Sequence, residues 1–284
     1  MKINLAKSAG FCFGVKRAIK IALEISAAGK KAYMLGDIVH NEEVAKQIEK
    51  SGLKKIKQLK AGKGKILLIR AHGAPKKIYQ TAAKLGYQII DATCPKVHQI
   101  HKIARQDEAL GYTIIIIGDQ RHDEVNGIIG QLKTKALIIS SYKNIPYKKL
   151  LVVKKASVVV QSTQNLENVL KIIAVLKQQI KDLKFHNTIC QPTTLKQQEL
   201  RILPRKNDLM LVIGSKTSAN TKRLYQIAKA LNQKTYWVKS AKDLKKIWFK
   251  GISSVGVTAG ASTPDYVTKA VIDQIKRLST AGSL

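Results

Sequence analysis

Short runs of β-branched and other apolar residues alternate along this chain with longer stretches whose apolar positions recur at helical spacing. The predicted strands are Ile3–Ala6, Ala32–Met34, Lys65–Arg70, Gln88–Asp91, Tyr112–Ile117, Ala136–Ser140, Ser157–Gln161, Leu209–Ile213, Thr235–Val238 and Ser254–Val257. The predicted helices are Val15–Ala28, Asn41–Ser51, Pro75–Leu85, Pro95–Ala109, Asp123–Gln131, Leu166–Lys181, Ser218–Leu231, Ala241–Ile247 and Thr263–Leu278. This alternation is typical of α/β proteins with mostly parallel sheets.

The recurrence of strand, loop and helix indicates three similar α/β lobes. We predict one lobe from residues 1–14 together with about 192–284, a second over 15–95 and a third over 96–191. In this division the N-terminal strand and the C-terminal segment close on one another. Ligands of open α/β sheets bind beyond the carboxyl ends of strands, so residues that directly follow strands are the first candidates for chemistry.

The chain has 284 residues, of which 45% are apolar, as is normal for a globular protein with a substantial core. No apolar run approaches the ~20 residues that cross a bilayer. The N-terminus also lacks the long apolar stretch of a signal peptide. We therefore expect a cytoplasmic protein that does not enter a membrane.

The formal net charge is +33, and such a surface attracts anionic ligands and acidic proteins. Nucleic acid is the obvious partner to weigh, so a basic nucleic-acid-binding or ribosome-associated protein is the alternative function. However, the lysines are spread in small clusters through nearly every segment rather than gathered in one stripe. This spread favours a general lysine bias on solvated faces, and makes nucleic acid an unlikely partner.

Three cysteines lie far apart, each in a loop marked by glycine, proline or threonine. Cys12 and Cys94 are 82 positions apart (94 − 12), and Cys94 and Cys190 are 96 apart (190 − 94). A single scattered cysteine is usually a small buried apolar residue. Three in matching loops favour a shared site, because three thiolates can hold an iron–sulfur cluster and leave one iron open. A Cys-x-x-Cys pair is absent, which argues against rubredoxin-like and zinc-ribbon sites.

Three of the six histidines follow apolar strands directly, namely His40, His72 and His122. Their equivalent positions indicate a converging polar site suited to holding phosphate oxygens or moving protons. His98 and His101 are three apart on a predicted helix, where a helix face is the simpler interpretation. Glu124 stands close to His122 and can serve as a proton donor if it is partly buried, although acidic residues also favour a first helical turn.

Two hydroxyl-rich loops follow strands in the C-terminal third, at residues 214–220 and 258–265. Backbone N–H groups at a helix start, with Ser and Asn beside them, form an anion site, although ordinary helix capping uses the same residue types. Neither a Walker A spacing nor a G-x-G-x-x-G is present. The chemistry of the residues alone thus indicates a metal-cluster enzyme that acts on a phosphorylated small molecule.

The chain resembles the LytB/IspH family of 4-hydroxy-3-methylbut-2-enyl diphosphate reductases nearly from end to end. The motifs that carry the resemblance are Gly10-Phe11-Cys12-Phe13-Gly14-Val15-Lys16-Arg17-Ala18, Val39-His40-Asn41, Ala71-His72-Gly73, Asp91-Ala92-Thr93-Cys94-Pro95, His122-Asp123-Glu124-Val125, Gly214-Ser215-Lys216 and Thr258-Ala259-Gly260-Ala261-Ser262. The resemblance implies three α/β lobes around one [4Fe–4S] cluster per chain, held by Cys12, Cys94 and Cys190.

The resemblance also implies an oxidoreductase of isoprenoid biosynthesis, which removes the substrate hydroxyl with two electrons and two protons. The products would be isopentenyl and dimethylallyl diphosphates, in the last step of the non-mevalonate pathway. Glu124 and His122 would serve proton transfer with Ser162 nearby, and ferredoxin or flavodoxin would supply electrons. The implied substrate-binding residues are His40, His72, His122, Ser162, Ser218, Ala219, Asn220 and Ser262.

Several positions depart from the family pattern, and we expect them to affect fine geometry and rate more than reaction class. A small alanine is usual at Phe13, a proline at Asp123, a threonine at Ser162 and a serine at Ala219. After the third cysteine, Pro192 and Lys196 stand where alanine and arginine are usual, whereas Thr193 and Gln197 are retained. A thiol enzyme that uses a single reactive cysteine is a further alternative, and it predicts that only one cysteine is essential.

Overall fold

The computed structural model describes residues 1–280, which form three four-stranded sheets in which every strand pairing is parallel. The strands are β1 (Lys2–Leu5), β2 (Ala32–Leu35), β3 (Lys54–Ile56), β4 (Ile66–Ile69), β5 (Gln88–Asp91), β6 (Thr113–Ile117), β7 (Leu137–Ile139), β8 (Lys155–Val160), β9 (Asp182–Phe185), β10 (Leu209–Ile213), β11 (Thr235–Val238) and β12 (Ser254–Ala259). The α-helices are α1 (Phe13–Ala27), α2 (Glu42–Lys50), α3 (Lys76–Lys84), α4 (Pro95–Ala109), α5 (Asp123–Ile129), α6 (Tyr147–Leu150), α7 (Leu166–Gln179), α8 (Gln191–Ile202), α9 (Ala219–Leu231) and α10 (Asp265–Thr280).

All three sheets have the same strand order, which confirms the prediction of three similar lobes. The orders are β3-β2-β4-β5 and β7-β6-β8-β9, so within each sheet the second strand is followed by the first, third and fourth. The remaining sheet, β11-β10-β12-β1, matches them if β1 is counted as its fourth strand. Lys2–Leu5 pairs in parallel with Ser254–Val257, so the N-terminal strand completes the lobe that the C-terminal segment forms.

The chain divides into two compact units. The first contains Met1–Val15, His40–Val44 and Gln191 onward, and it includes the sheet completed by β1. The second contains Lys16–Val39 and Ala45–Cys190, and it includes the other two sheets. The residue boundaries predicted for the three lobes remain a prediction.

The central strands are apolar because both of their faces are covered. Ile114–Ile117 of β6 and Leu209–Ile213 of β10 are at most 1% exposed. Strands that are buried on both faces lack the alternation of half-exposed strands and appear as continuous apolar runs, which made them predictable.

Two strands and one long helix were not predicted from the sequence. Strands β3 and β9 lie at sheet edges and contain lysine or aspartate, so they carry no apolar run. No helix was predicted over the residues of α8, because Pro192 and two threonines open it. Proline is tolerated in a first turn, where its missing N–H has no acceptor within the helix. The helix predicted over Ala241–Ile247 is instead two short 3-10 turns, Ala241–Asp243 and Lys246–Phe249.

A search of the helices within residues 1–280 found none with the length and apolar character needed to span a membrane.

His101 gives the fold a dependence on pH. It is 3% exposed on α4, and its Nε2 atom has no hydrogen-bond partner among the described residues. Burial, followed by the charges of His98 and Arg105, lowers the pKa of His101 from 6.5 to about 4. Between pH 6.5 and pH 4 the His101 imidazole is protonated in the unfolded chain and neutral in the folded chain. Protonation therefore stabilises the unfolded state, and the folded state loses stability as the pH falls from 6.5 toward 4.

We expect the free energy of unfolding to fall by about 2 kcal/mol between pH 7 and pH 5 through His101 alone. Replacing His101 with leucine should remove this part of the slope in denaturant unfolding measured at both pH values. His98→Leu is the comparison on the same helix. It should keep most of the slope, because burial is the largest cause of the lowered pKa of His101, and should reduce it only by the smaller contribution of the His98 charge. An unchanged slope in His101→Leu would contradict the assignment.

Candidate functional site

The three cysteines occupy equivalent places in the three lobes. Each follows the fourth strand of its sheet and directly precedes a helix: Cys12 lies between β1 and α1, Cys94 between β5 and α4, and Cys190 between β9 and α8. All three cysteines are half-buried. A helix N-terminus carries partial positive charge that stabilises a negatively charged sulfur ligand. The sequence indicated this setting for Cys12 and Cys94 but missed it for Cys190, because α8 was not predicted.

The same backbone hydrogen bond anchors each cysteine to the third strand of its own sheet. The amide N–H of Cys12 donates to the carbonyl of Ala261 at 3.1 Å. The amide N–H groups of Cys94 and Cys190 donate to the carbonyls of Ala71 and Ser162, both at 3.0 Å. Each acceptor is the second residue after its strand, so the lobes repeat the geometry of the thiol loop in backbone detail.

A buried lysine fixes the loop that leads into Cys12. Lys196 on α8 is 1% exposed, and its Nζ donates to the carbonyls of Gly10 and Ala259, both at 3.1 Å, and also to the carbonyl of Ser8. An ammonium group that is removed from water needs such acceptors. Lys196 therefore satisfies its charge by holding the Cys12 loop against the end of β12.

Lys196→Met should loosen the Cys12 loop, because three carbonyls lose their donor. We expect an unfolding free energy lower by about 3 kcal/mol and faster iron loss to a chelator from anaerobically reconstituted protein. Lys196→Arg should retain most of the wild-type behaviour. Lys229→Met, which removes a half-buried lysine bound to the carbonyl of Gln233 in the same unit, is the control. Wild-type iron retention in Lys196→Met would show that the loop does not depend on this lysine.

The predicted binding residues follow the first and third strands of the sheets. His40, His122 and Ser218 each come five positions after the last residue of a first strand, Leu35, Ile117 and Ile213 respectively. The strand order reverses between the first and third strands, and this switch point is where α/β sheets bind ligands.

The third strands supply the remaining loop residues. His72 and Ser262 each come three positions after a third strand, and Ser162 comes two positions after one. Because the first and third strands of each sheet are neighbours, the binding residues after the third strands lie beside the same switch points as the binding residues after the first strands.

His40 and Ser262 are joined directly. The hydroxyl of Ser262 donates to the carbonyl of His40 at 3.1 Å. The side-chain amide of Asn41 donates to the carbonyl of Ser262 at 2.7 Å, and its Oδ1 accepts from the N–H of Glu43 at the start of α2. Asn41 therefore caps a helix and ties two loops together, a role that its position beside His40 did not reveal in the sequence.

The N-terminus of α9 presents an unused hydrogen-bond donor. Ser218 caps the helix by accepting from the N–H of Thr221 at 3.3 Å. Asn220 is 5% exposed, and its amide nitrogen Nδ2 has no partner among the described residues. A buried donor without a partner costs free energy, and an anion at the helix N-terminus would satisfy it. Ala219 lies between these residues and offers only its backbone N–H.

Both carboxyl oxygens of Glu124 accept hydrogen bonds. Glu124 is 2% exposed on α5. Its Oε1 accepts from the backbone N–H of Ser162 at 2.6 Å, and its Oε2 accepts from the Ser162 hydroxyl at 2.7 Å. The Ser162 carbonyl in turn accepts from Cys190, so one continuous network joins the carboxylate to a thiol loop.

His122 caps the helix that carries Glu124. Its Nδ1 accepts from the backbone N–H of Glu124 at 3.1 Å, so in the neutral ring Nε2 carries the proton. The rings of His72 and His122 meet edge to face with centroids 5.6 Å apart. Two of the three predicted loop histidines therefore lie together at neighbouring loops of the second unit.

A family model described as LytB protein matches residues 3–276. The chain belongs to the LytB family.

Curated relatives of this LytB-family chain agree with the match. A 4-hydroxy-3-methylbut-2-enyl diphosphate reductase of Caldanaerobacter subterraneus subsp. tengcongensis is 41% identical over 286 residues, which is 98% of each chain. The protein of the same name from Pelobacter propionicus is 36% identical over 279 residues, 98% of this chain and 99% of its own. Like these relatives, the LytB-family chain is an oxidoreductase.

Solved structures agree as well. The E-1-hydroxy-2-methyl-but-2-enyl-4-diphosphate reductase of Plasmodium falciparum has a TM-score of 0.88 at 30% identity, covering 96% of this chain and 87% of that one. A structure described as (E)-4-hydroxy-3-methyl-but-2-enyl diphosphate reductase, the terminal enzyme of the non-mevalonate pathway, has a TM-score of 0.72 at 36% identity, covering 98% and 100%. These similarities confirm the predicted fold class.

The LytB family implies an iron–sulfur cofactor, and the thiols of this chain fit one. Iron–sulfur centres are bound by cysteine thiolates. The chain offers three half-buried thiols in equivalent loops. Gly10 adopts φ +91°, and a Cβ there would lie 2.6 Å from Oδ1 of Asp265, so only glycine allows this close approach before Cys12.

Proposed function

We propose that this chain reduces 4-hydroxy-3-methylbut-2-enyl diphosphate to isopentenyl and dimethylallyl diphosphates, the last step of the non-mevalonate isoprenoid pathway. The observation that carries the proposal is the repeated placement of one thiol after the fourth strand of every sheet, in a chain whose relatives of that name match it over 98% of its length. Nothing in the comparisons supports the alternative of a nucleic-acid-binding protein.

We assign Cys12, Cys94 and Cys190 as the ligands of one [4Fe–4S] cluster per chain. When bound, a cluster with three protein ligands supplies electrons and Lewis acidity at its remaining iron. The half-buried state of the three sulfurs supports this assignment, because it allows contact with an inorganic core while limiting solvent access.

The diphosphate is assigned to the switch-point loops. His40, His72 and His122 would donate from their imidazoles, and the N-terminus of α9 would donate through Ser218, the Ala219 N–H and the Asn220 amide. Ser262 would complete the set, and its bond to His40 aligns two of these loops. Neutral and charged donors around a diphosphate with two or more negative charges provide several charge-assisted hydrogen bonds.

Glu124 is assigned as the group that delivers the proton to the leaving hydroxyl. The reaction consumes two electrons and two protons, breaks the carbon–oxygen bond, forms a carbon–hydrogen bond and releases the oxygen as water. The paired bonds from Ser162 hold both carboxyl oxygens of Glu124, so the proton is presented from a fixed position. His122 would contact the diphosphate and assist proton supply.

Electrons are expected from ferredoxin or flavodoxin. Both classes of protein are typically acidic, and the net charge of +33 on this chain would draw them to its surface. We retain the cytoplasm as the expected location.

The test of the function is anaerobic. Purified protein should contain about four iron and four sulfide per chain and convert the hydroxylated diphosphate to both products with a chemical reductant. Protein without iron, or iron-containing protein that leaves the substrate unchanged, would refute the proposal. Colourless protein with RNA affinity that falls steeply with salt would instead favour the nucleic-acid alternative.

Asn220→Ala should weaken substrate binding with little effect on turnover. We expect KM to rise about tenfold, because one hydrogen bond to a charged group is lost. Folding stability should not fall, because the removed donor has no protein partner among the described residues. Thr268→Val is the matched control, since Thr268 is a buried residue of the same unit whose hydroxyl also lacks a partner within residues 1–280. Steady-state kinetics with an unchanged KM would contradict the assignment of Asn220.

A further inference from the structure

Asp123 lies between His122 and Glu124, where the family pattern has proline. We call the turn formed by these three residues, where the loop after β6 enters α5, the corner. Asp123 is the first residue of α5. Its Oδ2 accepts a hydrogen bond from Nη1 of Arg70 at 2.7 Å, and the two groups form an ion pair. Arg70 directly follows β4 and lies two residues before His72. The ion pair therefore joins the loop that carries His72 to the corner that carries His122 and Glu124.

The surroundings are shaped for this ion pair. The side chains of Arg70 and Asp123 are only 23% and 26% exposed. Gly36 adopts φ +76°, and a Cβ there would lie 2.7 Å from Nη1 of Arg70, so glycine leaves the space that the guanidinium fills. Both side chains also line a cavity of about 270 Å³ whose other walls include Leu35, Ile69 and Pro75. Partial burial reduces the contact of the two charges with water and strengthens their attraction.

Proline and aspartate would fix this corner by different means. A proline sets φ near −65° through its ring, and at the first helical position its missing N–H costs nothing. Aspartate lacks this ring, so its φ is less restricted and a side-chain tether can take over part of the restraint. Arg70 provides that tether, and the edge-to-face contact of His72 with His122 lies beside it.

We propose that the Arg70–Asp123 ion pair is a positioning device that keeps His122 and Glu124 aligned with His72, in place of the rigid proline of the family. This inference rests on the proposed function of those three residues. It predicts that Arg70 matters for turnover only while position 123 is an aspartate.

The backbone permits a direct test by restoring the proline. His122 has φ −78° and ψ 138°, the extended conformation that a residue before proline adopts. Asp123→Pro is therefore compatible with the corner as it stands. The experiment compares wild type, Arg70→Met, Asp123→Pro and the double variant, all as anaerobically reconstituted holoenzymes of equal iron content.

In the wild-type background, Arg70→Met should lower kcat/KM about tenfold, with a lower kcat and a higher KM, because the acid and the histidine shift together. In the Asp123→Pro background the same change should cost less than about twofold. Arg105→Met, which removes an arginine bound to Gln131 in the same unit, should show no coupling to Asp123→Pro. An equal cost of Arg70→Met in both backgrounds, or no cost in wild type, would overturn the proposal.

A second cycle covers the case in which Asp123→Pro does not fold. Asp123→Asn should reproduce the loss seen in Arg70→Met, and the two changes combined should add nothing further. Additive losses would overturn the proposal. If wild-type holoenzyme fails to reduce the substrate, the proposed function fails by itself. In that case the affinity for inorganic pyrophosphate is measured by calorimetry across the same variants. The positioning role of the ion pair is supported only if Arg70→Met lowers this affinity less in the Asp123→Pro background than in wild type.

Discussion

Replacing any one of the three cysteines with serine is expected to remove the iron–sulfur cofactor and to abolish turnover. A serine hydroxyl is a poor ligand for iron because it stays protonated at neutral pH, whereas a thiol readily supplies thiolate. Each of the three thiols occupies the same place in its lobe, so we expect three equal losses, each of at least about a thousandfold in kcat.

The measurement is iron and sulfide content of each variant after anaerobic purification, together with absorbance in the thiolate-to-iron charge-transfer region. Circular dichroism should show that the variants remain folded, so that cofactor loss is separated from unfolding. If only one of the three changes abolished activity while the others kept their iron, a single reactive cysteine would be the better account. This result would also refute the assignment of three protein ligands.

Glu124→Gln is expected to leave the cofactor in place and to lower kcat by about a hundredfold to a thousandfold, which is the usual share of general acid catalysis. The substitution conserves shape. The amide oxygen that it introduces could still accept from the N–H of Ser162, and the Ser162 hydroxyl could rotate to accept from the new amide nitrogen. Turnover is therefore expected to fall through loss of the acidic proton alone.

Single-turnover reduction by pre-reduced holoenzyme isolates the chemical step of this variant from electron delivery. Ser162→Ala is a graded comparison, because it removes one of the two hydrogen bonds that Ser162 donates to Glu124 and should cost less than the loss of the carboxyl group. Wild-type turnover in Glu124→Gln, with unchanged iron content, would show that the proton reaches the leaving hydroxyl by another route.

The departures from the family pattern acquire physical explanations only in the folded chain. Phe13 is 70% exposed, so its bulk in place of alanine displaces no core residue. Pro192 lies in the first turn of α8, where proline is tolerated. Lys196 is fully buried and bonded to three carbonyls, and Asp123 pairs with Arg70. The residues that bind Lys196 and Asp123 lie at least 53 positions away in sequence, so the sequence pattern alone could not identify them.

The sequence by itself determined the class of fold, the candidate chemistry and the family. Central parallel strands are buried on both faces, so β6 and β10 appear as apolar runs that any reader can find. The residues that follow such strands could be listed as site candidates because strand ends collect ligands in α/β sheets. The edge strands β3 and β9 were not predicted. One side of an edge strand faces solvent, so such strands can contain charged residues and need no apolar run.

Tertiary structure alone decided which loops are equivalent and what holds them. The strand order shows that β1 serves as the fourth strand of the C-terminal lobe, a pairing between the two ends of the chain that no local pattern encodes. The bonds of Glu124 to Ser162, of Lys196 to the Cys12 loop and of Arg70 to Asp123 likewise join residues at least 38 positions apart. Hydrophobic periodicity reports only whether a residue faces the core or solvent, whereas the identity of a distant partner depends on packing between elements.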